Sequence, residues 1–301
     1  MRKFTIGLAL GGGGARGLAH IGVLRALEKS GIIPDSIAGT SMGALIGAMY
    51  ACGMPVDAIE KKCSDFIRTD IYKSLGFDDA RQEGQKTFFR DLADKIKRKV
   101  IFHLSDVKMA FMDKKAVEAM VAYFLPDINI AAMKIPFSCV AVDICCGSDM
   151  VIASGPLRQA VLSSMAIPGI LPPVEHGHKV LVDGGVIQMI PAKALGGGCC
   201  DFVIGVDVSP KIRPVPAGEL DTALAIIQRS NDITSGMLKE LLSSHADFII
   251  APPVDDIKWF EMGRIQQAVR AGEDGVSAKE PELRKLIAEK KRKTFIKRLF
   301  W

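Results

Sequence analysis

The sequence has no apolar run of about 18 or more residues, so no helix is expected to span a bilayer. It also lacks the pattern of a disulfide framework. The seven cysteines are odd in number, and two pairs are adjacent, Cys145-Cys146 and Cys199-Cys200. A signal peptide is not indicated either, because the apolar N-terminal run passes directly into Gly11 to Gly14 and Arg16 without a cleavage-site pattern. We therefore expect reduced thiols and a cytoplasmic protein.

Net positive charge is absent outside one segment. The formal net charge is +5, yet residues 283–301 alone carry +7, which leaves −2 for the rest of the 301-residue chain. A slightly acidic body argues against a nucleic-acid partner. The tail, residues 281–301, mixes cations with apolar residues and predicts an amphipathic helix. This helix suits an anionic surface at the inner face of the membrane, and a solvated, frayed terminus is the alternative.

Two strand–turn–helix units open the chain. Lys3 to Leu10 is predicted as a buried strand, and a helix over Arg16 to Ser30 follows the glycine run. Ser36 to Gly39 is predicted as a second strand, before a helix from about Met42 to Cys52. This order is typical of an α/β protein with a parallel sheet and crossover helices.

Residues 56–135 are predicted to be mostly helical. Their cationic stretch, Arg81 to Lys99, either borders the entrance to a site or forms an exposed helix face. Further strands are predicted at 137–142, 151–153, 180–182, 202–206 and 248–251, and helices near 156–165, 191–195 and 218–243.

The first glycine turn fits a dinucleotide-binding pattern but lacks a required partner. Gly12 to Gly17 matches G-x-G-x-x-G, yet Thr40-Ser41 follows the second strand where a ribose-binding acid is needed. Consecutive glycines beside a helix N-terminus favour negative charge, either a phosphate or the oxyanion of an acyl-transfer intermediate. Arg16 adds a cation nearby. A plain tight turn is the remaining alternative.

The second turn has the pattern of a nucleophile elbow. Gly39-Thr40-Ser41-Met42-Gly43 is G-x-S-x-G between a predicted strand and helix. The glycines make room for a sharp turn that exposes the Ser41 hydroxyl, and the Met42 N–H is a candidate oxyanion donor. An incidental Gly-Ser turn is the alternative.

Ser41 needs a proton acceptor. His20 is best explained as a packed or hydrogen-bonded helix residue, and His176, His178 and His245 should lie at the opposite edge of the sheet or on peripheral loops. Asp183 directly follows a strand and precedes Gly184-Gly185, which places it at the edge where parallel strands end. Two further aspartates that end strands are assigned to caps or turns, Asp143 and Asp207. As a base, Asp183 needs a pKa raised above its usual value of about 3.9.

Metal sites are poorly supported. His176-x-His178 has no spaced third ligand, and adjacent cysteines do not have zinc-site spacing. We expect no metal and no cofactor.

Three motifs together resemble one family: Gly11 to Gly17, Gly39 to Gly43, and Asp183-Gly184-Gly185. The chain is similar to bacterial patatin-like phospholipases of the branch related to lysophospholipases and neuropathy target esterase. The resemblance covers roughly residues 4–275. It includes the opening GGGGARGLAHIGVLRAL, the segment 160–174 with Ser163-Ser164-Met165-Ala166, and Gly272. Gln188 departs from it, since the family often has Asn there.

The resemblance implies a three-layer α/β/α domain with a mainly parallel sheet over residues 1–280, with 56–135 as a helical insertion or cap. It implies that Ser41 is the nucleophile, Asp183 the proton acceptor, and Gly12, Gly13 and Gly14 the oxyanion hole. Residues with supporting positions in the motifs are Gly11, Arg16, Gly17, Gly39, Gly43, Gly184 and Gly185. The implied reaction is hydrolysis of fatty-acyl esters of phospholipids or lysophospholipids. A non-catalytic lipid-binding adaptor with the same fold is the alternative.

Overall fold

The computed structural model describes residues 2–75, 112–196, 198–221 and 223–300, and the described chain forms an eight-stranded sheet with helices around it. The strands are β1 (Ile6–Leu10), β2 (Ser36–Gly39), β3 (Phe137–Asp143), β4 (Ser148–Ile152), β5 (Val174–His176), β6 (Lys179–Asp183), β7 (Phe202–Val206) and β8 (Phe248–Ile250). The α-helices are α1 (Ala19–Lys29), α2 (Met42–Ala51), α3 (Val56–Phe66), α4 (Asp70–Ser74), α5 (Lys114–Phe124), α6 (Leu157–Met165), α7 (Ala223–Ser243), α8 (Ile265–Ser277) and α9 (Glu280–Phe300).

The sheet is mainly parallel, which confirms the predicted fold class. Strands β3, β2, β1, β7 and β8 pair side by side in this order, all parallel. The other three strands pair antiparallel: β4 and β6 with β3, and β5 with β6. The sequence analysis missed β5, a three-residue strand with two exposed residues, because it carries no apolar alternation.

Strands β2 and β6 lie end to end along the same edge of β3. Strand β4 occupies one edge of β3 from Cys139 to Asp143. On the other edge, β2 pairs with Phe137 to Cys139, and β6 pairs with Ala141 to Asp143. Since β2 is parallel and β6 antiparallel to β3, the end of β2 and the end of β6 meet head-on. The loop after β2 and the loop after β6 are therefore neighbours.

This geometry corrects one step of the sequence analysis. The prediction that Asp183 lies at the edge where parallel strands end assumes that its own strand runs parallel to the others. Strand β6 runs the opposite way, and Asp183 pairs with Ala141, two residues beyond the Cys139 that pairs with Gly39. The carboxylate reaches the level of Ser41 because β6 approaches from outside the carboxyl ends of the parallel strands.

Apolar side chains cover both faces of the sheet. Leu8 and Leu10 of β1 point into the larger core, which α1, α2, α5 and α8 help to form. Ala9, between them, belongs to a second, smaller core with Val203 and the short 3-10 helix Ala192–Leu195. Successive side chains of a strand point to opposite faces, so this division places helical layers on both sides.

Helices α1 and α8 cross at a contact between glycines. A β-carbon on Gly22 would lie 1.9 Å from the carbonyl oxygen of Val269, and one on Gly272 would lie 2.0 Å from that of Ala19. Only hydrogen fits at either position. Gly272, which the family resemblance singled out, thus allows two helix backbones to touch.

The basic tail forms helix α9, which binds where parallel strands begin. Lys290 forms an ion pair with Asp247, just before β8, and Arg298 pairs with Asp201, just before β7. Ser41, in contrast, follows the carboxyl end of β2. The tail and Ser41 therefore lie at opposite ends of the parallel strands.

Residues 56–135 are described in part. They contain α3, α4 and α5, whereas Arg81 to Lys99 lies outside the described residues. The boundaries of an insertion and of a 1–280 domain stay predictions. Across the described ranges, no helix is both long and apolar enough to cross a membrane.

Candidate active site

The turn between β2 and α2 holds Ser41 in a strained conformation. Its φ of 55° and ψ of −122° make it the one non-glycine residue with positive φ in the described chain. The flanking glycines permit this turn: a β-carbon on Gly43 would lie 2.1 Å from the Leu10 carbonyl oxygen, and one on Gly39 would lie 2.4 Å from Ala44 Cα. A strained serine at a strand-to-helix turn, only 5% exposed, has the geometry of a nucleophile elbow.

The glycine loop after β1 lies next to this elbow. The loop is fixed by two backbone bonds, from Gly11 N–H to the Val206 carbonyl at 3.1 Å and from Gly12 N–H to the Met189 carbonyl at 2.9 Å. Among the described residues, no partner is found for the N–H groups of Gly13 and Gly14. These two donors are free to bind an anion, whereas that of Gly12 is already used.

The start of α2 offers a third donor. Met42 is the first residue of the helix, and its N–H has no partner in the described structure. The packing around it is tight, since a β-carbon on Gly17 would lie 2.6 Å from Met42 Cβ. Gly17 therefore lets the two turns approach each other.

Two backbone carbonyls hold the guanidinium of Arg16. Its guanidinium donates to the carbonyl oxygens of Val208 and Ile257, at 3.2 and 3.3 Å. Burial lowers its pKa, while Asp232, Asp255 and Asp207 act to raise it. Arg16 thus connects the segment after the glycine loop to Val208 and Ile257, and its role as a cation beside a bound anion stays a prediction.

Asp183 is buried, 5% exposed, at the end of β6. Its Oδ1 accepts a hydrogen bond from the Gly185 N–H at 2.7 Å, and no bond of regular geometry reaches its buried Oδ2. Burial raises the pKa of Asp183 to about 6, although the Ser41 side chain and the Gly185 N–H act to lower it. The sequence analysis required a raised pKa, and the structure supplies its cause.

The described histidines are not partners of Ser41. His20 is fully buried, and its Nε2 donates to the Gly11 carbonyl at 2.7 Å. Burial lowers the pKa of His20 to about 4, so it is neutral near pH 7. His176, His178 and His245 are exposed on peripheral segments. The prediction that His20 is a hydrogen-bonded helix residue is confirmed.

The other strand-ending aspartates have the predicted cap and turn roles. Asp143 accepts from the Cys145 N–H at 3.0 Å, and Asp207 accepts from the Ser209 N–H at 2.9 Å and pairs with Lys239. Gln188, where the sequence departs from the family, is buried. Its backbone carbonyl accepts from the Thr40 hydroxyl at 2.9 Å, which ties the Asp183 loop to the elbow.

Ser164 is the residue beside Ser41 to which the sequence analysis gave no role. Its hydroxyl oxygen accepts from the Ser41 N–H at 3.1 Å and donates to the Val140 carbonyl at 2.7 Å. The signal was present, since Ser164 lies in the segment that resembles the family. Its position next to the elbow depends on the pairing of β3 and was not visible in the sequence.

Within the described ranges, no group of three or more potential ligands is placed to hold a metal ion. Ser41 supplies a hydroxyl and Asp183 a carboxylate of raised pKa, and the N–H groups of the two adjoining turns at Gly13, Gly14 and Met42 have no partner among the described residues. This combination is chemically suited to acyl transfer.

Comparison with known proteins agrees with these motifs. A model of the family "Patatin-like phospholipase" matches residues 8–195. An uncharacterized NTE family protein of Mycobacterium tuberculosis is 32% identical over 204 residues, which are 68% of this chain and 49% of that protein. Neuropathy target esterase of Drosophila melanogaster is 28% identical over 207 residues, which are 68% of this chain and 13% of that one.

The chain spans about half the length, or less, of these relatives. Among solved structures, VipD from Legionella pneumophila has a TM-score of 0.46 at 14% identity, over 95% of this chain and 67% of that one. The family model covers more than half of the chain and contains the glycine loop, the elbow and Asp183. The protein therefore belongs to the patatin-like phospholipase family.

Proposed function

We propose that this protein hydrolyses fatty-acyl esters of phospholipids or lysophospholipids, with Ser41 as nucleophile and Asp183 as its base. The observation that carries the proposal is the meeting of these two side chains in a buried site. Ser41 lies on a strained turn, and Asp183 has a pKa raised to about 6 by burial. Membership of the family supports a lipid ester as substrate.

The proposed steps need no other catalytic side chain. Ser41 Oγ attacks the ester carbonyl, and its proton passes to Asp183. The N–H groups of Gly13, Gly14 and Met42 bind the resulting oxyanion. Asp183 then protonates the departing alcohol, which leaves an acyl group on Ser41. Water attacks this acyl-enzyme, gives a proton to Asp183, and the proton returns to Ser41 as the fatty acid departs.

The environment of Asp183 fits this cycle. Gly185 holds Oδ1, so that Oδ2 is left to exchange the proton. A pKa near 6 leaves the carboxylate ionised at pH 7, yet makes it a stronger base than an exposed aspartate.

Fatty-acid release from lysophospholipid and diacyl phospholipid vesicles tests the proposal. Wild type should release fatty acid, and Ser41→Ala should not. The vesicle that is hydrolysed faster gives the preferred substrate. A fluorophosphonate probe should label wild type but not Ser41→Ala. Wild type that neither releases fatty acid nor takes up the probe would refute the proposal and favour the lipid-binding adaptor.

The basic helix α9 has its own proposed partner, an anionic membrane surface. Lys291, Arg292 and Lys293 of α9 are exposed and have no ion-pair partner among the described residues. Because α9 and Ser41 lie at opposite ends of the parallel strands, we propose that α9 attaches the protein to anionic lipid without delivering ester to Ser41.

A further inference from the structure

The head-on arrangement of β2 and β6 leaves a gap along the edge of β3. Gly39 of β2 pairs with Cys139, and Asp183 of β6 pairs with Ala141. Val140 lies between these two pairs. In β3, the N–H and carbonyl groups of even-numbered residues face the edge that β2 and β6 share. At one end, the Pro136 carbonyl accepts from the Ile37 N–H, and at the other end the Ile144 N–H donates to the Val180 carbonyl. The Val140 carbonyl therefore points into the gap, where no strand provides a donor.

The Ser41 N–H is the second backbone group at this gap. The positive φ of Ser41 turns the N–H away from the hydrogen-bond pattern of both β2 and α2. A buried N–H and a buried carbonyl without partners are unfavourable. One side chain forms hydrogen bonds with both groups, because the Ser164 hydroxyl accepts from the Ser41 N–H and donates to the Val140 carbonyl.

The same end of α6 also holds Asp183, the proposed base. The Ala166 carbonyl, two residues after Ser164, accepts from the Asp183 N–H at 2.9 Å. Helix α6 packs against β3, β6 and α2. These elements carry Val140 and Asp183 and begin directly after Ser41. Ser164 itself is fully buried, so its hydroxyl has no access to water as an alternative partner.

We propose that Ser164 is a positioning residue whose hydroxyl, by bridging the Ser41 N–H and the Val140 carbonyl, holds the elbow so that Ser41 Oγ faces Asp183. This inference rests on the proposed function. Ser164 does not touch the ester and acts only through Ser41. Its loss should therefore lower kcat for attack and leave KM nearly unchanged.

Ser163 provides a matched control on the same helix. It is equally buried, but its hydroxyl donates to the Gln159 carbonyl within α6 at 2.9 Å. Ser163→Ala and Ser164→Ala each remove one buried hydroxyl from neighbouring positions. Only the second removes a contact with the elbow.

The test measures hydrolysis of p-nitrophenyl butyrate and the rate of fluorophosphonate labelling. Ser164→Ala should lower kcat and the labelling rate about 10- to 100-fold, with KM within about 2-fold of wild type. Ser163→Ala should remain close to wild type. Ser164→Thr retains a hydroxyl and should recover most of the activity. If Ser164→Ala does not fold, Ser164→Cys keeps the volume with a weak hydrogen-bonding group and should show the same loss.

A pH profile separates positioning from packing. The Ser41 side chain acts to lower the pKa of Asp183. If Ser164→Ala lets that side chain turn away, the acid limb of the activity profile moves to higher pH. A loss of general stability alone would leave the limb in place.

Each outcome bears on a different claim. Equal labelling of Ser164→Ala and wild type, or equal losses in Ser163→Ala and Ser164→Ala, would overturn the positioning role and leave the proposed function standing. An unshifted acid limb in Ser164→Ala would also overturn it. A wild type that neither labels nor hydrolyses would refute the proposed function, and the positioning role with it.

Discussion

Replacing Asp183 with Asn should lower activity strongly and make the protein more stable at neutral pH. Burial raises the pKa of this carboxyl from its ordinary value of 3.8 to about 6. The folded protein thus disfavours the ionised form, which the proposed mechanism requires. Asn has nearly the same shape, cannot take a proton, and keeps an oxygen that accepts from the Gly185 N–H.

The size of the effect follows from linkage. For an acid whose pKa is raised on folding, the stability present below the unfolded pKa is lost as pH rises through the folded pKa. Between about pH 4 and pH 6, the contribution of Asp183 to stability should therefore fall by about 3 kcal/mol as pH rises, since each pKa unit is worth about 1.4 kcal/mol. Asp183→Asn carries no such loss. It should be more stable by up to about 3 kcal/mol at pH 8, and the difference should vanish near pH 3.5.

Urea denaturation of both proteins from pH 3.5 to pH 8 gives the difference directly. His20 titrates in the same range, but contributes equally to both proteins and cancels. Asp143→Asn is a control in which the expected change in stability has the opposite sign. Burial acts to raise the pKa of Asp143, but bonds from Cys145, Cys146 and Val180 outweigh it and lower the pKa, so this variant should lose stability at pH 8.

In the wild type, activity should fall below an inflection near pH 6, as Asp183 is protonated. Asp183→Asn should reduce kcat about 10²- to 10⁴-fold. An Asp183→Asn protein that is less stable than wild type at pH 8 would refute the argument that burial strains this carboxylate. Near-normal turnover of the variant would remove Asp183 from the mechanism.

Three further predictions concern the surroundings of the site. Gly272→Ala should cost about 1–3 kcal/mol or more in a denaturant titration, because its methyl group meets the backbone of α1, whereas Gly218→Ala, in open space, should be neutral. His20→Gln keeps a donor for the Gly11 carbonyl but cannot ionise. Since burial lowers the pKa of His20 to about 4, wild type should lose stability relative to this variant as pH falls below about 6.5, and a stability difference that does not change with pH would contradict this. Replacing the cations at 291–293 with Ser should weaken sedimentation with anionic vesicles about 10²-fold and leave p-nitrophenyl butyrate hydrolysis unchanged; unchanged sedimentation would exclude the tail as the anchor.

Much of the architecture could be predicted from the sequence, because local patterns determine it. Apolar runs located the parallel strands, and glycines marked the two turns that follow β1 and β2. The direction of β6 could not be predicted, because a short apolar run is the same in a parallel and an antiparallel strand. The glycine pair after Asp183 signals a turn in either case, so the prediction that Asp183 lies in a turn did not depend on the direction of β6.

The finer structure of the site depends on contacts distant in sequence. The Gly12 N–H is occupied by the carbonyl of Met189, which lies 177 positions later in the chain. Arg16 is engaged by Val208 and Ile257 for the same reason. No local pattern shows which N–H groups of a glycine loop have a protein partner, so the sequence could not distinguish Gly12 from Gly13 and Gly14.

The crossing of α1 and α8 bears on how the protein is made. The family model ends at residue 195, yet β1 pairs with β7 and α1 packs against α8 at Gly22 and Gly272. A nascent chain of 195 residues would have β1 as an open edge and one side of α1 bare. The glycine loop and the elbow therefore lack the support of β7 and α8 until residue 277 has emerged from the ribosome.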